Sequence, residues 1–154
     1  MQTTYDEYKA ERQRKFNELP VYFAFSDKQF NEVLEKTGAS GPEDFYGLGV
    51  GGGFFLKSDA DKIHAFIDEK PELDELMKDY DFAKGAFPSE MANHEYHINM
   101  QADWDVINCF TDVDYYEAEE KGYLALTGWE PQTKQAYLDA RKEFYQMCDE
   151  KDWW

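Results

Sequence analysis

A chain of 154 residues is the size of one ordinary domain and can bury roughly two thirds of the surface its unfolded form exposes. Its 42% hydrophobic and 18% aromatic content argues against disorder. Its 33 acids against 16 Lys and Arg give a formal net charge of −17, which repels nucleic acid and anionic membranes and attracts basic protein surfaces.

Thr4 with Glu7 three positions on forms a capping box, and Tyr5, Tyr8, Arg12, Phe16 and Leu19 recur at helical spacing up to Pro20. This predicts a helix over 4–18. Val21 to Phe25, β-branched and aromatic, predicts a strand; Ser26 with Gln29 then caps a helix carrying Phe30, Val33 and Leu34, which Gly38 ends. The runs FYGLGV and FFLKS flank Gly51, Gly52 and Gly53 as a hairpin. Ser58 or Asp59 opens a helix through Ile63, Phe66 and Ile67, and Pro71 restarts it toward Leu73, Leu76, Met77 and Tyr80.

Further on, Asp79–Glu90 reads as a helix end, a turn and a new start, and Glu95–Met100 as a fourth strand. Short helices are predicted over Asp103–Phe110 and Asp112–Lys121 before the break at Gly122. One long helix over Glu130–Lys151 places Tyr137, Arg141, Phe144, Tyr145 and Cys148 on a stripe, with Leu138 and Met147 beside it. Irregular interleaving predicts an α+β fold in one domain, residues 1–154: a small, mostly antiparallel sheet covered by helices, with a long C-terminal helix.

No reaction motif survives its context. Gly47, Gly49 and Gly52 satisfy GxGxxG, but strand formers follow where a dinucleotide site needs a helix N-terminus, so the glycines read as structural. The segment from Asp79 to Glu90 matches three positions of a calcium loop, yet Ala83 stands at a ligand position and Lys84 where glycine makes the turn. His94 and His97 would point to opposite faces of a strand, and no spacing pairs Cys109 with a histidine. The expectation is a non-enzymatic protein with no catalytic residues, no metal and no cofactor. Cys109 and Cys148, both in helical segments, read as reduced, packed thiols. The N-terminal MQTTYDEYKAERQRKF has no apolar run suited to a signal peptide, and no stretch approaches the ~18 apolar residues of a membrane span, which points to the cytoplasm.

The acids carry the functional lead. The first 36 residues are nearly neutral, and the negative excess lies in the remainder. Between Lys84 and Lys121 there is no Lys or Arg, while Glu90, Glu95, Asp103, Asp105, Asp112, Asp114, Glu117, Glu119 and Glu120 supply nine carboxylates. Helix capping, macrodipole complementation and solubility account for part of such a run. The functional reading is that these carboxylates stand in for phosphates and occupy a basic nucleic-acid groove, with Trp104 and Tyr116 as aromatic anchors.

The segments VYFAFSDKQF, GVGGGFFLKSD and MANHEYHIN, spanning roughly residues 8–110, resemble a family of short acidic proteins found in bacteria and their phages. The resemblance assigns no activity and no site residues. It implies a phage or mobile-element origin in a host bacterial cell. With the charge, it leads to an expected inhibitor of a host defence nuclease, of anti-CRISPR or antirestriction type. The expected partner is a basic nucleic-acid-binding protein such as a Cas nuclease or restriction enzyme, whose PAM-reading arginines would be one target. Three alternatives stay open: a phage structural or adaptor protein that self-associates through Trp153 and Trp154, a metal-dependent hydrolase using His94, Glu95 and His97, and a small-ligand binder.

Overall fold

The computed structural model describes residues 3–49, 51–69, 71–94 and 102–153. The predicted strand over Glu95–Met100 lies outside them. The chain groups into two compact units, Arg12–Lys70 and the pair of segments Met1–Glu11 and Pro71–Trp154, and helix α1 (Tyr5–Asn17) contributes to both. The capping box forms: the Glu7 amide donates to Thr4 Oγ1 at 3.2 Å and the Thr4 amide to Glu7 Oε2 at 3.1 Å.

In the unit Arg12–Lys70, α1 is followed by α2 (Asp27–Thr37), strands β1 (Phe45–Gly47) and β2 (Phe54–Leu56), and α3 (Ala60–Asp68). Ser26 caps α2 by accepting from the Gln29 amide, and Gly38 ends it in the left-handed conformation, φ 74°, which only glycine adopts without strain. The strands pair antiparallel with Tyr46 opposite Phe55, and the glycine-rich segment between them includes Gly49, Gly51 and Gly52, all at positive φ. GxGxxG therefore belongs to a hairpin. The predicted strand at Val21–Phe25 reduces to one bridge, Tyr22 against Phe54, because no further backbone pairs continue it among the described residues. Phe30, Phe45, Phe54 and Tyr22 pack ring on ring at 5.1–6.2 Å. Arg12 lies over the Phe66 ring and pairs with Glu69 at 3.0 Å.

The other unit holds the first turns of α1 with α4 (Pro71–Leu76), α5 (Tyr80–Asn93), α6 (Asp103–Asn108), α7 (Tyr115–Lys121) and α8 (Pro131–Glu150). Instead of the predicted helix end, turn and new start, Asp79 caps α5 and the helix runs unbroken from Tyr80 through Glu90, with Pro88 inside it. Phe82, Ala83, Ala86, Phe87 and Met91 are all buried on one face, so packing offsets the roughly 3 kcal/mol that an internal proline costs. That face meets Ala136, Tyr137, Ala140, Phe144 and Cys148 of α8, the alanines on each side allowing close approach. Two polar rungs flank the seam: Tyr80 donates to Asp139 at 2.6 Å, and Lys84 pairs with Glu143 at 2.9 Å. The long C-terminal helix forms as predicted: on its stripe Tyr137, Phe144 and Cys148 are buried and Arg141 and Tyr145 half-buried, while Leu138 beside it is exposed. Both cysteines are free thiols, and no described helix is long and apolar enough to cross a membrane.

Candidate functional site

Asp114 has extended backbone angles and accepts from the Glu117 amide at 2.9 Å, so it is the N-cap that starts α7. Ala118 is fully buried and fixes the inward pole of this two-turn helix. At about 100° per residue, Tyr116 and Glu120 then project from the opposite pole, and Tyr116 is 80% exposed. Glu117 and Glu119 lie to either side of them. Glu117 pairs with Lys121 at 2.7 Å, and Glu119 accepts from the Tyr115 hydroxyl at 2.7 Å, a bond that pushes the phenol up to about 12. Asp112 is exposed just ahead of the cap.

Trp104 is not an exposed anchor. Its indole N–H donates to the Val113 carbonyl at 2.8 Å, and its ring packs edge-on against Tyr115, bracing α7 from α6. Asp105 is half-buried on α6. Two of the nine carboxylates leave the candidate surface. Asp103 is interior, accepting from the Tyr137 hydroxyl and facing Arg141 at 3.4 Å. Glu90 is interior on α5. Each sits on the core-facing side of its helix and is buried only because a partner answers its charge. Glu95 lies outside the described residues, as do His97 and Trp154.

Glu90 anchors a cluster that sequence spacing did not reveal. Its Oε1 accepts from Tyr5 at 2.7 Å and from Lys9 at 3.1 Å, both on α1. Its Oε2 faces the Cys109 thiol at 3.5 Å, His94 Nε2 at 3.7 Å and the Asn93 amide nitrogen at 3.4 Å. Cys109 Sγ is 3.3 Å from His94 Nε2. His94 caps α5 one turn beyond Glu90, held by its own amide on the Glu90 carbonyl at 3.0 Å, and Cys109 caps α6. Burial pushes the Glu90 carboxyl upward, but the Tyr5, Lys9 and Asn93 donors together hold it below the usual range. Burial first, then the charge of Glu90, push the Cys109 thiol up to about 12. A thiol kept protonated in this way is a poor nucleophile at neutral pH. Among the described residues, Glu90, His94 and Cys109 are the only three that bring ligand-type atoms within 4.8 Å of one another. The signal in the sequence is the i, i+4 spacing of Glu90 and His94, which puts the two on one face only because α5 is continuous.

Residues 4–120 match the family described as a family of unknown function, DUF7659, and the chain belongs to it. The matched region takes in the whole Glu90 cluster and all of α7 but its last residue, and stops short of α8. No curated protein and no solved structure matches the chain significantly.

Proposed function

We propose that this member of the DUF7659 family is a non-enzymatic binding protein that presents the outer face of α7 to a basic surface of a nucleic-acid-handling partner. The reading is supported chiefly by one observation: Tyr116, the most exposed ring among the described residues of its unit, stands beside Glu120 at the outward pole of α7, with Glu117 and Glu119 to either side and the exposed Asp112 and Asp114 just ahead of the helix. An aromatic group set among carboxylates supplies both halves of an interface. The ring fills a pocket and loses water, while the charges steer the encounter and pair with lysines and arginines. Carboxylates spaced along a helix compete for sites built for phosphates. Combined with the resemblance to bacterial and phage proteins, this favours an inhibitor of a defence nuclease of anti-CRISPR or antirestriction type, acting in the cytoplasm of a host bacterium.

The test uses residues that neither cap α7 nor pair with a cation. The triple variant Asp112→Lys, Tyr116→Ala, Glu120→Lys leaves the Asp114 cap, the Glu117–Lys121 pair and the Trp104 brace in place. Purified protein immobilised at low salt should capture a nucleic-acid-binding protein from bacterial lysate, and duplex DNA or added salt should release it. The triple variant should bind that protein at least about tenfold more weakly, or about 1.4 kcal/mol. Undiminished capture by the variant would overturn the reading.

A further inference from the structure

We propose that Glu90, His94 and Cys109 form a binding site for a divalent transition metal ion, zinc foremost. The three facing atoms are 3.3, 3.5 and 3.7 Å apart. The centre of a triangle with those sides is about 2.0 Å from each corner, close to the ~2.0–2.3 Å at which zinc binds oxygen, nitrogen and sulfur. An ion at those lengths sits slightly out of the plane of its three ligands, as a tetrahedral centre requires, and leaves a fourth position for water or an outside ligand. The His94 side chain is 38% exposed, so solvent reaches the cluster from that side.

The donor set selects the metal. A cysteine sulfur that gives up its proton to solvent as the metal binds, an imidazole and one carboxylate oxygen suit zinc, and cobalt as its surrogate, whereas calcium and magnesium take oxygen ligands alone. Two ligands come from one helix face at i, i+4, and the third is delivered by the end of α6. The carboxylate is already oriented, because Tyr5 and Lys9 occupy Oε1 and leave Oε2 turned toward Sγ and Nε2. This is the outer layer of support that metal ligands ordinarily carry. The ion would tie α5 to α6 independently of any partner on α7, so the two proposals stand or fall separately.

The full chain, freed of metal by chelator and dialysed against zinc, should retain one equivalent by elemental analysis. Titration with cobalt should give the intense visible bands of a tetrahedral ion together with a thiolate charge-transfer band. Cys109→Ser should abolish the charge-transfer band. His94→Gln, at an exposed position that tolerates the change, should weaken cobalt binding at least tenfold while keeping the wild-type helical circular dichroism. Retention of no metal, cobalt spectra without a thiolate band, or unchanged binding in both variants would overturn the site.

Discussion

The two units of this chain bury their aromatic residues in different ways. In the unit built from Met1–Glu11 and Pro71–Trp154, Phe87 is completely buried and meets Phe110, Trp129 and Tyr137 at ring distances of 5.0–5.2 Å. The buried polar groups Glu90, Asp103, Thr127 and Thr133 each have a partner, the last donating to the Met77 carbonyl at 2.7 Å. In the unit Arg12–Lys70, Phe55 and Ile63 are the buried hydrophobic residues among those described, the rings of Phe30, Phe45 and Phe54 are half-buried, and Phe25 is 82% exposed. A ring that keeps part of its surface in water contributes less to stability. The second unit is accordingly expected to open at lower free energy than the first, which hydrogen exchange on α2 against α5 and α8 would register.

The sharpest way to break this comparison is to remove one ring from each unit. Phe87→Ala should cost about 3–5 kcal/mol in urea unfolding, and Phe45→Ala roughly half as much. Equal losses would mean that the thinner unit depends on its rings as heavily as the denser one.

A second comparison uses one substitution with opposite signs. Gly38→Ala forces a side chain into the left-handed conformation that ends α2 and should destabilise by about 1 kcal/mol. Gly85→Ala, inside α5 where an added Cβ meets nothing within 4 Å, should stabilise by about 0.5–1 kcal/mol. Thermal unfolding of both variants reads the difference.

The smallest effect concerns the rung between α5 and α8. The Tyr80 hydroxyl, followed by Gln135, holds the Asp139 carboxyl below its usual value, and that bond first, with burial, pushes Tyr80 up to about 12. The Asp139 contribution is therefore complete above its unfolded value of about 3.9 and is lost as pH falls through the lower folded value. The Tyr80 contribution is complete below about 10 and is lost as pH rises toward 12. Tyr80→Phe should flatten both limbs of the urea midpoint plotted against pH, and limbs as steep as in the wild type would show that the rung adds nothing.

Local signals were legible wherever a feature depends on residues close in the chain. The Thr4–Glu7 capping box, the Ser26 cap and Gly38 stop of α2, the glycine hairpin and the long C-terminal helix all follow from spacing and backbone preference. Asp79–Glu90 departs from the expected helix end and turn, because its apolar face gains its value only against α8, more than forty residues away. The acidic run shows the boundary most clearly. Its charge, and the cap made by Asp114, are properties of the sequence.

Which carboxylates face water was decided by tertiary structure alone. Glu90 meets Tyr5 across 85 positions, Asp103 meets Tyr137 across 34, and Cys109 meets His94 across 15. A buried charge is tolerated only where the fold delivers its partner, and nothing in the local pattern of residues records which distant side chain that will be.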